Sequence, residues 1–254
     1  MQFLTVGDSH TQYFGISNQM RGLNQKLRGI RVINKAVSAS TVTGVGKLDS
    51  TLKLGTNIHQ WIDKVKPNFL VLNLGQVDVE LGIPFRQFVK QRNETEDYWL
   101  NHFVQKYDEF LQAVQLDNSQ IIIKGINLPV LCYDHQKAIK YISRIVTERF
   151  TGEQKDLQRT REIEERLTQR YPSDIVRTDL ARRFNTKLET LCSTHGYGYF
   201  DINSALENEP QGTISPRFMP SKFDHHIVDS LEVRLLHWDE LLKVARRQYW
   251  NLPK

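Results

Sequence analysis

Ser9 follows residues 2–6, a short apolar run that reads as a β-strand closed by Gly7. A small polar residue at the carboxyl end of a strand stands at the edge where open α/β sheets place their ligands. A serine hydroxyl becomes a useful nucleophile only when a base takes its proton, so the histidines decide whether Ser9 can do chemistry. His59, His102, His135, His195 and His237 fall in or beside helical patterns, where packing or a surface role is the default. His10 adjoins Ser9, yet neighbouring side chains on a helix point about 100° apart, which leaves His10 a structural or substrate-lining role. His225 and His226 differ, because with Asp224 they occupy a loop, residues 220–227, between the last strand and the last helix. A serine, two candidate bases and an acid thus stand at opposite ends of the chain. The plain alternative for Ser9 is a helix N-cap.

Bringing those ends together requires strands alternating with crossover helices on a parallel sheet. A second strand is expected at residues 29–34, after a crossover helix within 12–27, and a helix at 58–65 is closed by Pro67. Residues 69–74 form the continuous apolar run expected of a parallel strand covered on both faces. Trp99, Phe103, Tyr107, Phe110, Leu111 and Val114 recur at helical spacing and lead into a strand at 121–123; their aromatic stripe is core packing. From Asp134 the chain is charged and glycine-poor, with helical periodicity in Ile139, Ile142, Ile145, Val146, Ile163 and Leu167. This is longer than an ordinary crossover and reads as a helical insertion at about 134–172, a lid or an oligomer contact. A final crossover helix at 178–192, a fifth strand at 197–200 and a last helix marked by Leu231, Leu235, Trp238, Leu242 and Ala245 complete the order, with Asp229 as that helix's cap and Glu232 three residues later. The expected fold is α/β: a three-layer α/β/α arrangement on a flavodoxin-like parallel five-stranded sheet, with a helical insertion, in one domain spanning 1–254.

At 39% hydrophobic and 25% charged residues, the chain is too apolar for disorder. No apolar run reaches the roughly 18–20 residues that cross a bilayer. The net charge is +5, but the 12 Lys/Arg and 9 Asp/Glu of residues 134–183 interleave as solvated helix faces, so no nucleic-acid partner is expected. The N-terminus enters a strand with no basic segment or cleavage site before it, so a cytoplasmic protein is expected. Cys132 and Cys192 lack ligand spacing and read as buried free thiols, with no metal. Residues 44–47 lack the first glycine and the Ser/Thr of a phosphate-binding loop, and His225-His226 does not match the helical zinc-protease pattern.

Gly7-Asp8-Ser9, residues 32–40, Gly75-Gln76-Val77-Asp78 and Asp224-His225-His226 together resemble, in order and over nearly the whole chain, the blocks of the GDSL/SGNH hydrolase superfamily. The resemblance implies Ser9 as nucleophile, His226 as base because the apolar Ile227 follows it as in the family, and Asp224 as acid. Asp224 stands two residues before His226, where the family has three. In the second block Ala39 takes the place of a glycine whose amide helps form the oxyanion hole, with Gly44 as an alternative donor. In the third block Val77 replaces the asparagine that donates to the oxyanion, so Gln76 or a main-chain amide would substitute. The implied hole is the amides of Ser9 and Ala39 together with Gln76. Asp8, His10, Ser40, Gly44, Gly75, Asp78 and His225 would line or support the site, Asp78 as a structural carboxylate holding its loop. Asp201, ending the fifth strand, is a second candidate acid, although strand-end aspartates commonly cap turns.

Three functions follow from the resemblance. The first is an esterase acting through an acyl-Ser9 intermediate on acetylated carbohydrate or another small ester, since the Gly-Asp-Ser-His start and the Asp-His-His loop resemble a branch found with bacterial polysaccharide biosynthesis. The second is an O-acyltransferase from acetyl-CoA to a sugar hydroxyl, and the third a non-catalytic carbohydrate-binding module. None but the transferase calls for a cofactor, acetyl-CoA as donor. Homo-oligomerisation is left open.

Overall fold

Five parallel strands, β1 (Gln2–Gly7), β2 (Arg31–Ala36), β3 (Phe69–Asn73), β4 (Ile121–Lys124) and β5 (Gly198–Phe200), form one sheet in the order β2-β1-β3-β4-β5. This is the flavodoxin-like order. The structure, a computed structural model, describes residues 1–47, 50–131, 134–148, 150 and 152–249. Its helices are α1 (Asn18–Leu23), α2 (Val42–Val45), α3 (Leu54–Val65), α4 (Glu96–Gln112), α5 (His135–Val146), α6 (Gln154–Arg170), α7 (Asp174–His195), α8 (Asn203–Leu206) and α9 (Leu231–Tyr249). A short antiparallel pair, β6 (Glu207–Asn208) and β7 (Thr213–Ile214), follows α8.

Side-chain alternation along the strands creates the three layers. Leu4, Val6, Leu70, Leu72, Ile121 and Ile123 join one core with Ile58 and Ile62 of α3, Phe103 and Tyr107 of α4, and Phe184 and Leu188 of α7. Phe3, Phe69, Val71, Ile122 and Phe200 face the other way, against Phe14, Met20, Trp238 and Leu241. Each such leucine, isoleucine or phenylalanine contributes about 1.5–3 kcal/mol by leaving water. The register pairs Gly7 with both Ala36 and Asn73, so the segments leaving β1, β2 and β3 emerge at one sheet edge. Gly7 permits that approach, since a Cβ there would lie 1.9 Å from the Asn73 carbonyl oxygen.

The first crossover departs from expectation. Residues 12–27 do not form one helix: a 3₁₀ turn (Ser9–Phe14) ends at Gly15, which is extended at φ −63° and ψ 131°, and Ser17 caps α1 as a fresh start by accepting the Met20 N–H. At the last helix the cap is Ser230, whose hydroxyl accepts from Val233 N–H at 3.2 Å. Asp229 is drawn away from that role by two 2.7 Å bonds from Arg234. The insertion is α5 and α6, packed into a small core of their own with Phe88, Val89 and Tyr171. It rests on two π-helical turns, Asp78–Gly82 and Phe85–Val89, that follow β3. Cys192 is buried and free, its thiol pushed up to about 12 by burial, while Cys132 lies outside the described residues. Among the described residues no helix is long and apolar enough to cross a membrane.

Candidate active site

Ser9 Oγ lies 2.6 Å from His226 Nε2, and His226 Nδ1 lies 3.1 Å from Asp224 Oδ1. Serine and histidine are 217 positions apart in sequence. On the serine side, buried Asp8 accepts the His10 N–H at 2.9 Å and starts the 3₁₀ turn, which presents half-buried Ser9 at the sheet edge. On the histidine side, Tyr13 donates its hydroxyl to the Ile227 carbonyl at 2.7 Å, and Ile227 is buried in a cluster with Tyr13, Phe218 and Val233. His10 is itself fixed by Asp8, Nδ1 to Oδ1 at 3.0 Å, and its ring stacks on His226 with centroids 4.3 Å apart. It therefore braces one face of the His226 ring.

The electrostatics suit a proton relay. Burial, and then the nearby His10, lower the pKa of the His226 imidazole, against the opposing pull of Asp224. At neutral pH its ring is an uncharged base. Burial alone would raise the Asp224 carboxyl, but hydrogen bonds from His226 and Tyr141 outweigh it and hold the group at about 2. Burial, with His10 and His226 beside it, pushes His225 down to about 3.

Several residues assigned from sequence are occupied elsewhere. The Gln76 side-chain NH₂ donates to Glu80 Oε1 at 2.5 Å and to the Asn127 carbonyl at 3.1 Å, and its oxygen accepts from Asn127 N–H. With both N–H groups engaged in that buried network, Gln76 is not an oxyanion donor in this arrangement. Nor is Gly44, whose N–H is taken by Thr41 Oγ1 at 3.0 Å. The amides of Ser9 and Ala39 have no acceptor among the described residues, and Ala39 takes the left-handed conformation, φ 59°, that a glycine would adopt more easily. Ser40 is buried. Gly75, at φ 115°, ends the run from β3, and Val77 is half-buried. Asp78 accepts from Val42 N–H at 2.7 Å, from Thr43 N–H at 3.3 Å and from Thr43 Oγ1 at 3.2 Å, so it holds the start of α2; burial pushes its carboxyl up to about 6 against those bonds. Asp201 accepts from Asn203 N–H and Tyr199 O–H, which makes it a strand-end cap.

Sequence reasoning missed Tyr141. Its hydroxyl reaches from α5 to Asp224 Oδ1 at 2.9 Å and to His225 Nδ1 at 2.6 Å. The sequence offered only a tyrosine within the helical insertion, with nothing to name a partner 83 positions away. His10, His225 and His226 bring ligand-type nitrogens within 4.8 Å of one another. A metal must lie in the plane of each imidazole that binds it, however, and the His10 and His226 rings are stacked only 26° from parallel. Both His226 nitrogens already face Ser9 and Asp224, so the cluster suits proton transfer better than metal ligation.

No sequence family and no curated protein matches the chain. Solved structures do match over nearly its full length. A carbohydrate acetylesterase from Sinorhizobium meliloti superposes with a TM-score of 0.53 at 12% identity, covering 96% of this chain and 98% of that one. A GDSL-like lipase from Bacteroides thetaiotaomicron gives 0.52 at 12% identity, with 97% and 88% covered. An acetylxylan esterase from Geobacillus stearothermophilus, whose catalytic mutants include one at an aspartate and one at a serine, gives 0.51 at 16% identity, with 96% and 93% covered. The likeness is one of fold, and the fold is that of the GDSL hydrolases.

Proposed function

We propose that the chain is a serine-dependent acyl ester hydrolase of the SGNH type, acting on acetylated carbohydrate or another small ester through an acyl-Ser9 intermediate. The observation that carries this reading is the unbroken relay Ser9 Oγ to His226 Nε2 and His226 Nδ1 to Asp224 Oδ1, at 2.6 and 3.1 Å. His226 takes the Ser9 proton as Oγ attacks the carbonyl carbon, and Asp224 stabilises the imidazolium. The developing oxyanion is assigned to the Ser9 and Ala39 amides. His226 then returns the proton to the departing alcohol oxygen as the ester C–O bond breaks, and water, activated by the same base, releases the acid from Ser9. Two fold neighbours are named for acetyl groups on carbohydrate, which supports that substrate class. Hydrolysis is favoured over transfer to a sugar from acetyl-CoA because the fold neighbours are named as esterases and a lipase.

A second reading, a carbohydrate-binding module without catalysis, is favoured by one observation: Val77 stands where a donor belongs and Gln76 is engaged elsewhere. Losing one oxyanion donor costs about 3 kcal/mol in the transition state. One experiment separates the two. The protein is incubated with p-nitrophenyl acetate and with a serine-reactive phosphonate, and the adduct is located by mass spectrometry in the parent, Ser9→Ala and His226→Ala. Turnover with an adduct on Ser9, lost in both variants, is expected. A parent that neither turns over nor labels leaves the binding module.

A further inference from the structure

We propose that Tyr141 is the positioning residue for the relay acid, so that helix α5 of the insertion is a working part of the active site; the proposal rests on the acyl-serine reading above. Asp224 stands on a segment, residues 219–229, without helix or strand. Three hydrogen bonds converge on its Oδ1, from the backbone N–H of His225 at 2.6 Å, His226 Nδ1 at 3.1 Å and the Tyr141 hydroxyl at 2.9 Å, and the His225 ring Nδ1 also lies 3.0 Å from it. The first two belong to the same loop as the carboxylate, a loop held at Ile227 by Tyr13 and at His226 by the stacked His10 ring. Neither of those outside contacts touches the Asp224 side chain itself. Among the described residues, Tyr141 is the donor to this carboxylate that comes from another element.

The phenol is well placed to anchor it. Its ring packs edge-on to Phe223, with centroids 6.2 Å apart, and the Arg144 guanidinium lies 5.2 Å from the ring centroid. Its helix is seated by buried Ala138, Ile139 and Ile142, so the hydroxyl is held by packing. Because the phenol O–H is given to the carboxylate, its oxygen is free to accept from His225 Nδ1–H at 2.6 Å. Tyr141, His225 and Asp224 therefore form one polar cluster that ties the insertion to the acid. The two-residue spacing of acid and base gives this outside tie more to do, because Asp224 is too exposed for burial to hold it.

The test is Tyr141→Phe, which keeps the ring and its packing and deletes one hydroxyl. Turnover of p-nitrophenyl acetate should fall in kcat by about tenfold, as expected for losing a hydrogen bond to a charged group. KM should stay within twofold, since Tyr141 makes no substrate contact in the proposal. The far-downfield proton resonance of the His226–Asp224 hydrogen bond should broaden or vanish, while the thermal unfolding midpoint shows that the fold is kept. A kcat within twofold of the parent with the resonance unchanged overturns the positioning role. The resonance also decides the matter without turnover: if the parent Ser9 proves unreactive towards phosphonate, the acyl-serine reading fails by itself, and a resonance retained in Tyr141→Phe overturns the positioning role separately.

Discussion

In the proposed hydrolase His226 must be neutral before it takes the Ser9 proton and charged afterwards, and its neighbours divide those two tasks. Burial and the stacked His10 disfavour the imidazolium at rest, while Asp224 favours it and Asp8 adds a weaker pull in the same direction. Since the net effect lowers the His226 pKa, the reactive neutral form predominates above a pH lower than the ordinary histidine value of about 6.5. kcat/KM should therefore rise with pH and level off, with its acidic midpoint below about 6.5. A profile from pH 4 to 8 in one ionic-strength series measures this, and a midpoint at or above the ordinary value would refute the assignment of burial and His10 as the controlling influences. Asp224, held at about 2, stays ionised across that range and adds no second limb. Its neutral isostere, Asp224→Asn, should lower the plateau by about three to four orders of magnitude through the wrong imidazole tautomer.

At the scale of elements, the site depends on three strand ends being brought to one edge and on the turn that leaves β3. Gly75 makes that turn at φ 115°, and a Cβ there would sit 2.5 Å from the Phe184 ring, a member of the main core. Gly75→Ala should destabilise the fold by about 2–4 kcal/mol, since backbone strain and overpacking add; urea unfolding followed by far-UV circular dichroism measures it, and a loss under about 1 kcal/mol would mean that Phe184 moves aside freely. These strand ends were legible in sequence because a parallel strand buried on both faces leaves a continuous apolar run, as in residues 69–73, and because Ser9 directly follows such a run, whereas Asp224-His225-His226 was marked only by its place between the last strand and the last helix. The first crossover was not legible as a broken helix, since Gly15 and Ser17 interrupt it through backbone angles that the apolar pattern does not report. Gln76 was misread for a related reason: its partners Glu80 and Asn127 come from a turn and from a distant loop, and only the folded arrangement shows that its amide is occupied. Asp229 lost the cap to Ser230 because Arg234, five residues on, offers it a bidentate partner.

Taken whole, the molecule has its firmest packing around the sheet and a lighter unit beside the candidate active site. β3 is buried along its full length, whereas α6 buries only Ile163 and Leu167 of its 17 residues. The insertion has its own small hydrophobic cluster, so it can open without exposing the sheet. Native-state hydrogen exchange should accordingly show the amides of α5 and α6 opening at a free energy at least ~2 kcal/mol below that of β1, β3 and β4. Because Tyr141 rides on α5, each such opening withdraws the outside tie on Asp224. Ester hydrolysis should then decline at urea concentrations where the sheet amides remain protected, and the decline should follow the α5 opening curve. Tyr141→Phe makes the link specific: with the tie already removed, the activity that remains should follow sheet unfolding alone. Exchange with one common free energy in the insertion and the sheet would refute the lighter unit, and activity that persists after α5 has opened would show that the insertion takes no part in holding the acid.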